Sequence, residues 1–264
     1  MNSVYEKLNQ ALQNFNSLSI GEQFDFQKLY LYSLVTHSTA IEGSTVTEIE
    51  NTLMFDEDIV PGGRTVTEQL MNLDLKRAYD FVGKQIAEKP YITVDFLKKL
   101  SALVMRNTGS IYTTALGDFD SSAGDLRLLN VSAGRGGRSY PSYQKVPGRL
   151  AAFCSWLNEA RSNSYEDAAS VYAFSFEAHY RLVSIHPWVD GNGRTCRLLM
   201  NMLQMERGLL PSILLKEHKA GYIEALTKSQ DEENSRIFVE FMMGEMTGFL
   251  WRSVEEFVKT SGID

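Results

Sequence analysis

The chain has 264 residues, 44% of them hydrophobic and 11% aromatic, enough apolar material for a buried core of one domain with an appendage. A formal net charge of -7 speaks against non-specific binding to nucleic acid or to an anionic membrane surface. Two cysteines, Cys154 and Cys196, make neither a disulfide framework nor a zinc site, no apolar run approaches membrane-spanning length, and "MNSVYEKLNQALQNF" lacks the apolar heart of a signal peptide. The expectation is a soluble cytoplasmic protein.

In chain order, Val4, Leu8, Leu12 and Phe15 mark a first helix over 3–15. A second is expected from Glu22 to Glu42, with Gly43 as its stop. "TVTEIENTLMF" restarts a helix, "IVPGGRTV" turns, and 67–87 is strongly helical on the spacing of Leu70, Leu73, Ala78, Phe81 and Val82. "ITVDFLKKLSALVM" is another amphipathic helix after Pro90. From Asn107 to about Pro147 the composition turns glycine-rich, with β-prone pieces such as "RLLNVSA", and a long loop with a small hairpin is predicted there, the one place for strands. Loops of that length usually have a task, such as covering a site. Helices resume at 147–161, 165–185, 194–207, 216–229 and 235–259.

The densest chemistry is "HPWVDGNGRTCR", residues 186–197. Pro187 disfavours the α conformation at its predecessor, so His186 is expected at a helix exit. Glycines on either side of Asn192 let backbone N–H groups converge on a ligand, and the helix that follows offers its N-terminus to an anion. Arg194 and Arg197 lie one turn apart in the first turn of that helix, where its dipole disfavours cations, so something negative should offset them. Phosphate is the natural candidate. Asp190 suits Mg²⁺, which joins one or two carboxylates to substrate phosphates, and His186 suits a general base. A lone histidine is most often structural and such a loop is often only a turn; the groups together argue for a site. His179, two turns before His186, is read as a packed or hydrogen-bonded residue. No Walker-type phosphate loop is present.

With these residues in place, the chain resembles the Fic family, whose motif is His-x-Phe-x-(Asp/Glu)-Gly-Asn-Gly-Arg-x-x-Arg; Trp188 stands where the family has Phe. The resemblance runs through "RLLMNMLQMERG" and "YIEALTKSQ". It implies an all-α fold with a small β-hairpin flap near the active site. The chain would divide into an N-terminal helical region (1–91), a Fic core (92–245) and a C-terminal helix end (246–264). Relatives transfer AMP from ATP, with Mg²⁺, to a Tyr, Thr or Ser hydroxyl of a target protein. By that resemblance His186 is the base and Asp190 holds the metal. Gly191, Asn192 and Gly193 form an anion hole, and Arg194 and Arg197 bind the outer phosphates. Val131, Ser132, Ala133 and Gly134 would border the nucleotide from the flap, and Tyr222, Ile223 and Gln230 would lie near the adenine.

"STAIEG" matches the family's inhibitory pattern (Ser/Thr)-x-x-x-Glu-(Gly/Asn) through Ser38, Glu42 and Gly43. In relatives that carry it, the glutamate pairs with the second motif arginine, here Arg197, and competes with the γ-phosphate for one guanidinium fork. In some relatives the same glutamate supports removal of AMP. Transfer of UMP, phosphate or phosphocholine stays open as an alternative, as does a nucleotide-binding module without turnover. The partner is expected to be a target protein of unknown identity; self-modification and a homodimer stay open, with no nucleic acid and no membrane.

Overall fold

The N-terminal helices begin on a shared device: a Ser or Thr hydroxyl takes the N–H three residues on, while a Glu at that position reaches back. It opens α1 (Val4–Ser17) with Ser3 and Glu6, α3 (Glu48–Asp56) with Thr47 and Glu50, and α4 (Val66–Gln85) with Thr65 and Glu68. Between them, α2 (Phe26–Ile41) starts later than its apolar stripe suggests, because a 3-10 turn at Ile20–Glu22 and the left-handed Asp25 intervene. The computed structural model describes residues 3–133 and 137–262. The remaining elements are α5 (Val94–Val104), β1 (Ile111–Thr114), β2 (Gly117–Asp120), α6 (Val146–Ser162), α7 (Ala168–Ile185), α8 (Asn192–Met205), α9 (Lys219–Asp231) and α10 (Ser235–Ser261).

The strands lie upstream of "RLLNVSA". β1 and β2 pair antiparallel with Tyr112 opposite Phe119, their rings stacked at 5.1 Å, a cross-strand contact that "RLLNVSA" has no partner to make. The expected flap is a looser hairpin held by one bridge, Ser132 to Ser139. The Ala133 N–H donates to the Arg138 carbonyl at 3.0 Å, and the Tyr140 N–H to the Val131 carbonyl at 3.1 Å.

α7 and α8 pack together at the centre, with α10 against α7, α9 and α1. One apolar core runs from Leu8 to Leu250, so the N-terminal helices share it rather than forming a core of their own. α2 lies on α4 and α3 and touches α8. Its C-terminal half is fixed by buried polar groups. The Asn51 amide donates to Thr36 Oγ1 at 2.7 Å and to Asn72 Oδ1 at 2.9 Å, Thr39 Oγ1 donates to Asn72 Oδ1 at 2.9 Å, and the Asn72 amide donates to Ser44 Oγ at 3.0 Å. Such a network specifies one arrangement because each unmade bond is costly in the dry interior. Among the described residues no helix is long and apolar enough to cross a membrane. Both cysteines are free and buried.

Candidate active site

α7 ends where Pro187 requires it to, and His186 closes the helix in the left-handed region (φ 53°, ψ 62°) with its N–H on the Leu182 carbonyl. A non-glycine residue there carries about 1–2 kcal/mol of strain, which surrounding contacts must hold in place. The His186 Nδ1 lies 3.3 Å from the Val183 carbonyl. A carbonyl only accepts, so this contact puts the proton of the neutral ring on Nδ1 and leaves the Nε2 lone pair free. Burial, with Arg127 assisting, pushes the imidazole down to about 4 against the smaller opposing effects of Val183, Glu42 and Asp190. At neutral pH it is an uncharged base.

The loop after His186 is closed on itself. Asn192 accepts from the Trp188 N–H at 3.1 Å and donates to the Trp188 carbonyl at 2.9 Å, so its side chain is spent on the loop's own shape. The Trp188 indole, fully buried, donates to the Gly124 carbonyl at 3.1 Å. Gly191 (φ 76°) sits on Met105, whose sulfur would stand 2.6 Å from any Cβ there. α8 begins at Asn192 rather than at Arg194, because Gly191 already caps it, so the glycine loop is the helix's own first turn.

Arg194 in that turn and Arg197 in the next are both buried, with 1% and 3% of their surface exposed. Arg197 donates from Nε to Ser38 Oγ and from Nη2 to the Ser38 carbonyl, each at 2.9 Å, and from Nη2 to Glu42 Oε1 at 2.7 Å. Burial pushes the Glu42 carboxyl up, but Arg197, helped by Arg194 and Lys219, outweighs it and holds the group below its ordinary 4.5. The Glu42 side chain remains 31% exposed, so the pair is partly solvated. Gly43 (φ 105°) then ends the helix. Arg194 has no such partner: Nη2 rests on the Met105 sulfur at 3.2 Å and lies 3.7 Å from Asp190. Its Nε and Nη1, and the Arg197 Nη1, are buried without a partner among the described residues.

Asp190 stands at the mouth, its side chain 61% exposed, with Oδ1 accepting the Gly191 N–H at 2.6 Å. Among the described residues no group of three or more His, Cys, Asp and Glu gathers as a metal cage. One outward carboxylate beside buried arginines fits an ion that brings its other ligands with a phosphate.

The other expected residues are more dispersed. Val131 is half-buried; Ser132 and Ala133 are exposed along the flap, and Gly134 lies outside the described residues. Tyr222 is buried and turned inward, its hydroxyl 3.1 Å from His179 Nε2. His179 is fully buried and, desolvated, held neutral with a pKa of about 3. Ile223 is 48% exposed on the outer side of α9. Gln230 donates to Ser184 Oγ on α7 at 3.1 Å.

Two neighbours of His186 had escaped sequence reasoning. The Tyr140 ring stacks on the imidazole with centroids 3.7 Å apart. Arg127, 1% exposed, donates to the carbonyls of His186, Leu129 and Pro141. Both sit in irregular loop, where no periodicity marks them. Size would not have located the site either: a cavity of about 760 Å³ opens elsewhere, behind α2 between Phe15, Leu34, Tyr79 and Leu210.

Residues 91–204 match the model of the Fic/DOC family. The chain is 33% identical over 217 residues to a protein adenylyltransferase Fic of Drosophila mojavensis, an alignment that covers 82% of this chain and 39% of that protein. It is 28% identical over 240 residues to one of Culex quinquefasciatus, covering 90% and 44%. The chain thus spans about two fifths of the length of the curated relatives it matches. Among solved structures it resembles a Fic-domain-containing signaling protein of Bacteroides thetaiotaomicron VPI-5482 (TM-score 0.77, 18% identity, 94% of this chain and 96% of that one). It also resembles Fic-1 from C. elegans (TM-score 0.72, 24% identity, 96% and 70%). At these identities the likeness is one of fold.

Proposed function

The chain belongs to the Fic/DOC family, and from that premise we propose that it transfers AMP from ATP to a hydroxyl of a target protein and is held at rest by Glu42. The observation that carries this reading is the set of unpartnered nitrogens on two buried guanidiniums, Arg194 Nε and Nη1 and Arg197 Nη1, at a helix N-terminus. Buried donors require acceptors, and three or more around one glycine-lined turn call for an anion with several oxygens. A triphosphate has them.

In this reading His186 Nε2 takes the proton of the target hydroxyl, whose oxygen bonds to the α-phosphorus as the bond to the β-phosphate oxygen breaks and pyrophosphate leaves. The first turn of α8, Arg194 and Arg197 hold the phosphates in line, and Mg²⁺ held by Asp190 would neutralise part of their charge. Little else is asked of the protein, because positioning and charge stabilisation carry such reactions. Glu42 occupies the fork of Arg197 that the γ-phosphate would use. The names of the insect relatives support AMP as the group moved.

The test is incubation with Mg²⁺ and ATP labelled on the α-phosphate, using wild type, Glu42→Gly and Glu42→Gly/His186→Ala, with label read after denaturation on lysate proteins and on the chain itself. Labelling by Glu42→Gly alone is expected. Label arriving from the γ- but not the α-phosphate would replace this reading with phosphate transfer.

A further inference from the structure

Arg127 is a buried cation with no carboxylate against it among the described residues; three backbone carbonyls take its place. Nε donates to His186 O at 2.8 Å, Nη1 to Leu129 O at 2.7 Å and Nη2 to Pro141 O at 2.5 Å, while its own N–H donates to Pro187 O at 3.1 Å. Leu129 and Pro141 bracket the two limbs of the flap, and Tyr140, next to Pro141, lies on the His186 ring. A buried charge is expensive and is kept where its fork of donors does something a neutral side chain could not. Here one planar group gathers both roots of the flap and the carbonyl of a residue in a strained conformation.

We propose that Arg127 is a positioning residue that registers the flap on the base, setting the distance between the His186 imidazole and the edge along which a target hydroxyl would be presented. The inference rests on the transfer reading above for its consequence in turnover, and on the structure alone for the geometry. It has a second effect. The charged and titratable groups facing His186 are Arg127 before the flap, Tyr140 on it, Asp190 on the motif loop and Glu42 from α2. Of these Arg127 is the cation, so it helps keep the base unprotonated.

The experiment compares Arg127→Met and Arg127→Lys, each with Glu42 intact and as Glu42→Gly. Proton resonances of His186, assigned with His186→Ala, report the Tyr140 ring through its ring-current displacement and report the charge through titration. Both substitutions are expected to remove the displacement, because Met has no donor and the three donors of Lys radiate from one nitrogen, which cannot replace the planar fork that spans the three carbonyls. Only Arg127→Met is expected to raise the titration midpoint, since Lys keeps the charge. In the Glu42→Gly background, labelling should fall about 100-fold with KM for ATP unchanged, the scale of a displaced reacting group. Retention of the displacement in Arg127→Lys, or a loss of labelling in either variant no greater than its loss of folded protein, would overturn the proposal. Should Glu42→Gly with Arg127 intact fail to label at all, the transfer reading falls, and the His186 resonances still decide the role of Arg127. Should Arg127→Met not fold, Arg127→Lys decides through the ring-current displacement.

Discussion

The Glu42 carboxylate stands 2.7 Å from the Arg197 guanidinium and also fills the space above Gly193, where a Cβ would lie 2.5 Å from the same oxygen. One side chain thus meets both a phosphate-type donor and the glycine of the cradle. Replacing it therefore does two things at once.

Glu42→Gly should destabilise the free protein by less than the roughly 3–5 kcal/mol of breaking a buried ion pair, because 31% of the Glu42 side chain is exposed. Mg²⁺ and ATP should then restabilise the variant, by about 2.7 kcal/mol at a hundred times Kd, and do much less for wild type. Thermal unfolding with and without nucleotide measures both. Equal shifts in the two proteins would remove competition as the explanation.

Acid should not release the latch usefully. The Glu42 carboxyl is held below its ordinary 4.5, so its contribution is complete above 4.5 and is lost only as pH falls through the lower folded value. His186 is depressed to about 4 and becomes protonated in the same range. Wild-type labelling should therefore stay low from about pH 8 to pH 5. In Glu42→Gly the acid limb of kcat/KM, which reports the free enzyme, should lie near or below about 4, since Glu42 itself raises the His186 value. An acid limb near an ordinary histidine value would contradict the burial of the base.

Gly193→Ala places a methyl against the flexible end of Glu42 and 3.0 Å from Arg197 Nη1. Glu42 can swing away, but the methyl stays in the cradle. The substitution should weaken the resting contact and still fail to yield an active enzyme, and adding Glu42→Gly should not restore labelling. Nucleotide binding by calorimetry on the single and double variants checks this.

Asn72→Ala leaves Thr39, Asn51 and Ser44 each short of a buried partner. Each keeps another partner, Thr39 on the Val35 carbonyl, Asn51 on Thr36 and Ser44 on the Val46 N–H, so the cost should lie toward the lower end of the about 1–3 kcal/mol of an unmade buried bond. Because Thr39 lies one turn before Glu42 on the same segment, ATP affinity should rise as stability falls. A lower Tm with unchanged ATP affinity would make the network a matter of folding only.

Much of this site was legible before any coordinates. His186, Asp190, the glycines and the two arginines are contiguous in sequence, and the spacing of Ser38 and Glu42 put both on one helix face, so their meeting with Arg197 needed only the resemblance to suggest a partner. What stayed hidden is the loop chemistry. Arg127 bonds to the backbone of residues as distant in sequence as His186 and Pro187, which no periodicity reports, and Tyr140 is one aromatic among many. The strand pair falls inside the glycine-rich region from Asn107 to about Pro147 where a small hairpin was expected, and the Tyr112–Phe119 stack fixes its register at 111–120. The N-terminus of α8 moved to Asn192 because Gly191 supplies a left-handed cap, a backbone freedom that composition alone does not place.

The helix bearing Glu42 is bedded against α4 and α3 and touches α8, and α4 is itself packed on α5 and α8. It is not an arm that can swing out while the rest of the molecule waits. If Glu42 acts as proposed, its release would come from rotation of one carboxylate or a slight roll of α2 within its bed. Side-chain rotation of an exposed group takes picoseconds to nanoseconds, against microseconds to milliseconds for a hinge. On the proposed reading the resting state would be a rapidly sampled balance, readable as nucleotide binding without a slow kinetic phase.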